Sequence, residues 1–341
     1  MKRDIKSMFL SELEDYFSSE GEQRFRAKQV FSWLHNGKTA FSEMTNLSKG
    51  LRDKLDEEFY ISVPELVDKQ VSETDGTEKF LWRVGDGDTV ECVLMKYKHG
   101  YTVCISTQVG CRMGCVFCSS ALDGFKRNLA PSEMLDQVLF TQDKTKRVSN
   151  IVLMGIGEPL DNFDNVIRFI ELVRHPSGMN IGSRHITVST CGMAENIDRL
   201  AQYDVQLTLA ISLHAPDDKT RSMLMPVNNH SSVGELIEAG KRFFHKTGRR
   251  VTYEYAMIDG INDSPEQAES VSGLLDKNTH LNLILLNSLD ENTLKPSKEE
   301  NVRDFTGILK KNGVNFTIRR SLGADIEASC GQLRRRYITC R

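Results

Sequence analysis

The sequence has no apolar run near the roughly 20 residues of a membrane-spanning helix, so the 341-residue chain predicts no membrane span. It also has no internal repeat, low-complexity tract or heptad pattern, so nothing in it indicates a repeat protein or a coiled coil. The N-terminal stretch MKRDIKSMFLSELEDYF lacks the long apolar segment of a secretory signal, and predicts an amphipathic helix. We therefore expect a cytoplasmic protein, in which cysteines stay reduced and serve metal binding or catalysis.

A strong excess of basic residues is missing as well. The formal net charge is −3 and the pI is about 6.3, which neither favours nor excludes a nucleic-acid partner, because a local basic face is what matters. Each local cluster of Lys and Arg, taken alone, is typical of a solvated surface. These clusters are Arg24, Arg26 and Lys28; Lys126 and Arg127; Arg249 and Arg250; Arg319 and Arg320; and Arg334, Arg335 and Arg336.

The first part of the chain has helical patterns. Apolar residues recur at helical spacing from Phe25 to Leu34, and Ser48 is suited to cap a second helix that runs to about Phe59. The segments EKFLWRV and TVECVLMKY alternate in polarity and predict β-strands. We expect residues 1–97 to form an N-terminal helical accessory domain with a β extension, and residues 98–341 to form a catalytic domain.

From residue 100 onward, short apolar runs alternate with helical patterns, which predicts βαβ units and a parallel sheet. About six repeats without a G-x-G-x-x-G segment favour an α/β fold, a partial (β/α)6 TIM-like barrel, over a dinucleotide-binding fold. In such barrels the chemistry lies on loops that follow the strands. The predicted strands are TVCIST (102–107), NIVLM (150–154), HITVST (185–190), LTLAIS (207–212), VTYEYAMI (251–258), LNLILL (281–286) and FTIRR (316–320).

A dense group of cysteines follows the first of these strands. Cys111, Cys115 and Cys118 are spaced C-x3-C-x2-C, and Cys104 lies seven residues upstream. A zinc site that uses all four thiols is one interpretation, since structural zinc takes four ligands. Against it, Cys104 falls inside a strand, whereas the other three form one tight loop. Three thiolates on a four-iron cluster leave one iron free for a non-protein ligand, and radical S-adenosylmethionine (SAM) enzymes use this spacing.

The second predicted strand runs into MGIGEPLDN, residues 154–162, which resembles the Gly-Gly-Glu-Pro segment of radical SAM enzymes. Glycines let the backbone approach a ligand closely. Glu158 could accept hydrogen bonds from the ammonium group of a bound methionine. By itself the segment is an ordinary strand-to-helix turn, but its position after the cysteine motif favours a SAM site.

Several longer stretches resemble the RlmN/Cfr family of radical SAM RNA methyltransferases. They are CISTQVGCRMGCVFCSSALDGFKRNL, MGIGEPLDN, HITVSTCG, AISLHAP, LNLILLN, TIRRSLGADIEASCGQL and the N-terminal RFRAKQVFSWLHNG with FSEMTNLSKGLRDKL. Together they span nearly the whole chain, and Pro159 in GEP resembles the RlmN side more than the Cfr side. The chain departs from the family's usual pattern at SCGQL, at LNLILLN, which lacks a proline, and at Cys340.

The resemblance implies a role for each matching residue. A 4Fe-4S cluster would be held by Cys111, Cys115 and Cys118, with SAM on the free iron and two SAM used per turnover. Cys330 would carry a methyl group, Cys104 would resolve a covalent RNA adduct through a transient disulfide, and Glu91 would accept a proton. Without the resemblance, Cys330 reads as a buried free thiol, Cys104 as core packing and Glu91 as a solvated strand residue. The implied SAM contacts are Gly157, Glu158, Ser189, Ser212, Leu213, His214 and Asn287.

The implied reaction is methylation of C2 of an adenosine in 23S rRNA near the peptidyl transferase centre, and in some members of a tRNA adenosine 3′ of the anticodon. The basic segments 319–320 and 334–336 and the N-terminal domain are candidates for contacts with RNA phosphates. A one-electron donor such as flavodoxin or ferredoxin would reduce the cluster, and nothing in the sequence demands more than a monomer. Two alternatives stay open: a Cfr-type enzyme that methylates C8 and confers antibiotic resistance, and a zinc-stabilised RNA-binding protein.

Overall fold

The N-terminal helices of this computed structural model form a small core of their own. Residues 2–203, 206–286, 294–320, 322–326 and 332–339 are described. Strand β1 (Arg3–Asp4) pairs in parallel with β2 (Phe59–Tyr60), and helices α1 (Leu10–Ser19), α2 (Phe25–His35) and α3 (Lys49–Glu58) lie between them in sequence. Ser48 caps α3 by accepting a hydrogen bond from the Leu51 amide, as the sequence predicts. The apolar side chains of these helices pack into one cluster that ends at Phe59 in sequence and gains Leu172 from the rest of the chain.

Helix α5 (Pro131–Thr141) makes buried polar contacts with this N-terminal module, and helix α6 (Phe163–Arg174) contributes Leu172 to its apolar cluster. The Lys6 ammonium lies 2.5 Å from a carboxylate oxygen of Asp136, and both side chains are almost fully buried. Ser62 donates to the other Asp136 oxygen at 2.6 Å. A buried ion pair of this kind tolerates loss of one partner poorly, because the remaining charge has no water to replace it. These contacts fix the module against the helices.

A buried histidine at this junction predicts acid sensitivity. His35 stacks on Phe31, and burial, with help from His175 and Lys6, lowers its pKa to about 3. The unfolded chain has a histidine pKa near 6.5, so it binds the proton first as the pH falls. His35 therefore contributes stability above about pH 6.5, which is lost as the pH falls toward 3, at up to about 1.4 kcal/mol per pH unit.

We expect His35→Gln to remove this contribution to the slope of unfolding free energy against pH, measured by urea denaturation between pH 7 and pH 4. The exposed His230→Gln is the matched control and should keep the wild-type slope. A slope unchanged in His35→Gln contradicts the assignment.

The β extension joins the sheet of the catalytic domain. Strands β3 (Glu65–Val71), β4 (Glu78–Arg83), β5 (Thr89–Tyr97) and β6 (Gly100–Cys104) pair antiparallel in that order. Apolar residues of β4 and β5, such as Trp82 and Leu94, belong to the same core as the later strands. Residues 65–97 thus share a sheet and a core with the part of the chain that follows residue 98.

All seven predicted strands are present as β6 and six further strands. β6 pairs in parallel with β9 (Val148–Leu153), and the remaining pairs are also parallel. The other five strands are β10 (Ile186–Thr190), β11 (Thr208–Ser212), β12 (Val251–Met257), β13 (Thr279–Leu285) and β14 (Phe316–Ile318). The order of the central sheet is β14-β13-β12-β11-β10-β9-β6-β5-β4-β3, so β14 and β3 are its edges.

Helices follow the parallel strands along the chain. α6 links β9 to β10, and the other crossovers continue the pattern that the sequence predicts. They are α7 (Ala194–Gln202), α8 (Asp218–Leu224), α9 (Val233–Thr247), α10 (Pro265–Leu274) and α11 (Glu299–Lys311), and α12 (Gln332–Thr339) ends the described chain. A short hairpin of β7 (Gln108–Gly110) and β8 (Phe125–Asn128) encloses α4 (Ser119–Leu122).

Alternation along the strands separates two faces of the sheet. Cys92, Val103 and Ile151 belong to the core that includes the surrounding helices. Their neighbours in sequence therefore point to the opposite, inner face. Cys104 lies on this inner face and is directly paired with Val93 of β5. The inner face is where the site is built.

Candidate active site

The three-cysteine loop, residues 111–118, connects β7 to α4. Its three cysteines are half-buried, and Cys118 is the N-cap of α4. The loop is closed by backbone hydrogen bonds, from Cys111 to Gly124 and from Cys118 to Cys115, each of 3.1 Å. Gly110 is required at its start, because a Cβ there would lie 1.7 Å from the Gly124 carbonyl oxygen. The loop therefore holds three thiols on one rigid turn.

Cys104 lies in a different environment from the three-cysteine loop. Burial raises the pKa of its thiol to about 11, and the opposing influences come from the Met154 backbone, Arg319 and Lys79. Burial likewise raises the pKa of Cys111 to about 12, but its charged neighbours are Cys118, Glu158 and Asp161. Among the described residues, no three His, Cys, Asp or Glu side chains are grouped around a single metal position.

Glu158 joins the loop after β9 to the loop after β10. Its Oε1 accepts from the Leu160 amide at 2.9 Å, and its Oε2 accepts from the Cys191 amide at 2.7 Å. Burial raises the pKa of this carboxyl. Gly157 has φ of 105°, and a Cβ there would lie 2.6 Å from the Gln108 side chain. Both oxygens of Glu158 thus have backbone partners, and its contact with a SAM ammonium stays a prediction.

The remaining predicted SAM contacts cluster at the ends of β10 and β11. Ser189 donates to the Leu153 carbonyl at 2.6 Å. Leu213 is fully buried, and its backbone amide donates to the Glu254 carbonyl at 3.0 Å. Ser212, at the end of β11, pairs in register with Glu254 of β12. Asn287 and Cys330 lie outside the described residues, so their predicted roles are not placed.

His214 is neutral and links β11 to the three-cysteine loop. Burial lowers its pKa to about 3, and its Nδ1 accepts from the Ala256 amide at 2.8 Å. The proton consequently sits on Nε2, which leaves one donor. Its ring meets Phe117 edge-on, with the ring centroids 4.9 Å apart. The backbone of His214 has φ of 55°, an uncommon value for a non-glycine residue and typical of functional sites.

Arg221 is a structural residue that the sequence analysis missed. It is fully buried and donates to the backbone oxygens of Cys191, Ser212 and Leu213. It therefore ties the loops after β10 and β11 together. A single arginine in a short helical segment has no sequence pattern that separates it from a solvated one.

The inner face also carries two polar residues that were not predicted, Glu254 and Asn282. They form one row with the predicted Ser212 across β11, β12 and β13. Asn282 donates to Glu254 at 2.9 Å, and Arg319 lies 3.5 Å from the other Glu254 oxygen. On the opposite side, Lys79 pairs with the predicted proton acceptor, Glu91.

The structure corrects one predicted surface. Arg334, expected to contact RNA phosphates, is almost fully buried and bonds to Glu91, Thr89 and Asp123. The cluster of Lys126 and Arg127 is also engaged, with Asp88, Asp86 and Glu133 as partners. In each case the basic side chain is paired with a carboxylate that is close in space but distant in sequence or beyond a turn.

Comparisons with known proteins agree with this architecture. A family model described as "Radical SAM superfamily" matches residues 105–269, and one described as "Ribosomal RNA large subunit methyltransferase N-terminal domain" matches residues 4–61. "Probable dual-specificity RNA methyltransferase RlmN" of Clostridium perfringens is 49% identical over 98% of this chain and 98% of its own. The protein of the same description from Lachnoclostridium phytofermentans is 50% identical over 98% of this chain and 95% of its own.

The chain belongs to the RlmN family of radical SAM methyltransferases. A crystal structure of a radical SAM methyltransferase from Sphaerobacter thermophilus superimposes with a TM-score of 0.92 at 40% identity, covering 97% of this chain and 98% of that one. The predicted resemblance and the predicted α/β radical SAM barrel are confirmed. No described helix has the length and apolar character needed to cross a membrane.

Membership of the RlmN family implies a 4Fe-4S cluster and SAM, and the described residues fit both. The three thiols of the loop are free. Burial, and then the neighbouring cysteines, raise the pKa of Cys111 and Cys115, so bound iron would offset the cost of holding thiolates there. Cys111, Cys115 and Cys118 would hold it. A cavity of about 550 Å³ adjoins the loop at Arg112 and Met113 and reaches Gly192 and Pro226. SAM would lie between the loop, Gly157 and the ends of β10 and β11.

Proposed function

We propose that this protein methylates C2 of an adenosine in 23S rRNA, and of an adenosine 3′ of the anticodon in tRNA. The relatives described as dual-specificity RNA methyltransferases align with nearly the whole chain, which supports an RNA substrate with two kinds of target. The observation that carries the proposal is the shared inner face of Glu91 and Cys104, a candidate proton acceptor and a candidate attacking thiol, beside the predicted SAM contacts.

In the proposed reaction, C2 of adenine is too poor a nucleophile to take a methyl cation directly from SAM. When bound, the cluster and SAM supply one-electron chemistry that activates a methyl group carried by Cys330. Glu91 takes the C2 proton of the covalent RNA adduct. Cys104, as thiolate, then attacks the sulfur of Cys330: the S–S bond forms, the bond from that sulfur to the methylene carbon breaks, and the carbon takes up a proton as the methylated RNA leaves.

The inner face suits these two roles. The Cys104 thiol lies in the same row as Val93 and Lys79. Burial raises the pKa of this thiol, and the cations Arg319 and Lys79 offset part of that rise. Glu91 is buried on the same face, two residues from Val93 on β5. Because the Glu91 carboxylate is buried, water does not compete with it for the C2 proton of the adenine. Two SAM per turnover, a flavodoxin- or ferredoxin-type electron donor and a monomeric enzyme complete the proposal.

The N-terminal domain is the proposed RNA-binding part. The residues matched by the rRNA methyltransferase N-terminal model include Phe25, which is half-exposed with Arg26 stacked over its ring. Arg24 and Lys28 are exposed on the same helix. An exposed aromatic ring among cations is suited to contacts with unpaired bases and phosphates. We also propose that the N-terminal domain ends at residue 97 and that the catalytic domain begins at residue 98.

The experiment is anaerobic. The cluster is reconstituted, SAM and a reductant are added with protein-free 23S rRNA or tRNA, and digested nucleosides are resolved by mass spectrometry. We expect 2-methyladenosine from both RNAs. An 8-methyladenosine peak would assign the chain to C8 chemistry, and a colourless zinc protein without SAM dependence would favour the RNA-binding alternative.

A further inference from the structure

Glu91 has a buried cation as its counter-charge. The Lys79 ammonium lies 3.1 Å from Glu91 Oε2, and the two side chains are 0% and 3% exposed. Lys79 is on β4, directly paired with Val93, which is in turn paired with Cys104. The cation, the carboxylate and the thiol therefore share one face of three neighbouring strands.

The other oxygen of Glu91 is held by the C-terminal helix. The Arg334 backbone amide donates to Glu91 Oε1 at the start of α12. The Arg334 guanidinium donates to the Thr89 carbonyl at 2.8 Å and to Asp123 Oδ2 at 2.9 Å. Both oxygens of the carboxylate are thus fixed, one by β4 and one by α12.

Asp123 connects this arrangement to the three-cysteine loop. It is the C-cap residue of α4, the helix whose N-cap is Cys118. The network of Lys79, Glu91, Arg334 and Asp123 contains two cations and two carboxylates, so its formal charge is zero. Paired opposite charges of this kind tolerate burial, whereas loss of one member leaves an unbalanced charge.

We propose that Lys79 and Arg334 are positioning residues that aim the Glu91 carboxylate for proton transfer, and that the Arg334–Asp123 pair couples its placement to the three-cysteine loop. The inference rests on the proposed function, in which Glu91 takes the C2 proton. The radical adduct gives up one electron, for which the oxidised 4Fe-4S cluster would be the acceptor. The C2–H bond then breaks, its electron pair stays on the adenine adduct, and the proton goes to a Glu91 oxygen.

The first test removes the ammonium with Lys79→Met and uses RNA deuterated at C2 of the target adenosine. We expect the covalent RNA adduct to decay about tenfold to a hundredfold more slowly, with a larger deuterium isotope effect than in wild type. Iron content and SAM cleavage should be unchanged. Lys69→Met is the matched control, because Lys69 forms a partly exposed pair with Glu78 between the neighbouring antiparallel strands β3 and β4.

The second test cuts the link to the loop with Asp123→Asn, which leaves the other contacts of Arg334 in place. We expect faster amide hydrogen exchange in α12 and a smaller slowing of adduct decay than in Lys79→Met. Asp88→Asn, which disrupts the exposed pair with Lys126, should leave α12 exchange unchanged. Asp123→Asn tests the coupling between α12 and the three-cysteine loop even if Lys79→Met fails to fold.

Two results would overturn the inference: folded Lys79→Met with wild-type adduct decay and no added isotope effect, or Asp123→Asn with unchanged exchange in α12. Failure of the proposed function is distinguishable, since wild-type protein would then form neither an RNA adduct nor methyladenosine.

Discussion

The Cys118→Ser variant is expected to lose its iron, its sulfide and all methyl transfer. Cys118 is one of three free, half-buried thiols on a single turn, and a serine hydroxyl is a far poorer ligand for iron than a thiolate. Because outer-shell partners of metal ligands already cost 10–100-fold when they are removed, we expect a loss of more than about a hundredfold for a ligand itself. Iron and sulfide assays and the absorbance of the reconstituted protein measure the effect.

Cys191→Ser is the matched control for this prediction. Cys191 is buried close to the three-cysteine loop, and its amide is bound to Glu158. Serine keeps a hydrogen-bonding side chain there, so iron and sulfide should stay at wild-type levels. Loss of iron in Cys191→Ser with retention in Cys118→Ser would show that the C-x3-C-x2-C spacing does not define the ligands.

The Cys104→Ala variant is expected to stop after forming a covalent complex with RNA. In the proposed reaction only the Cys104 thiolate breaks the bond between the protein and the methylated adenosine. The covalent adduct therefore accumulates when this thiol is removed. We expect product release to fall by more than about a hundredfold, as when other nucleophiles are removed. Denaturing gels with labelled RNA detect the adduct, and iron content should be unchanged.

Cys92→Ala separates this role from a general effect of losing a thiol. Cys92 lies on the neighbouring strand but faces the helix-packed core, where it contacts Trp82 and Thr141. Its replacement should lower stability while leaving methylation intact and producing no adduct. An active Cys104→Ala enzyme free of adduct would contradict the assigned mechanism.

Residue type and spacing predicted a large part of this protein. The apolar runs matched the parallel strands, because each strand packs one face against the helices of the core. The spacing of Cys111, Cys115 and Cys118 placed three thiols on one turn, and the motifs predicted the RlmN family that the comparisons confirm. These features are local in sequence, so no tertiary information was needed to find them.

The pairing of distant charges could not be predicted in this way. Arg334 read as one of a run of solvated arginines, yet it is buried between Thr89 and Asp123, which are 245 and 211 positions away. Lys79 and Arg221 are also fully buried, and no sequence pattern marked either of them. The burial of a side chain depends on which strands and helices pack around it. A short sequence pattern does not predict that packing.

The sequence by itself determined the strands, the three-cysteine loop and the family, because each depends on the chemistry of neighbouring residues. Only the tertiary structure decided that Cys104, Glu91 and Lys79 share one face and that Arg334 holds Glu91 in place. The physical reason is the register of the sheet: pairing across β4, β5 and β6 brings a cation, a carboxylate and a thiol from separate segments to one inner surface.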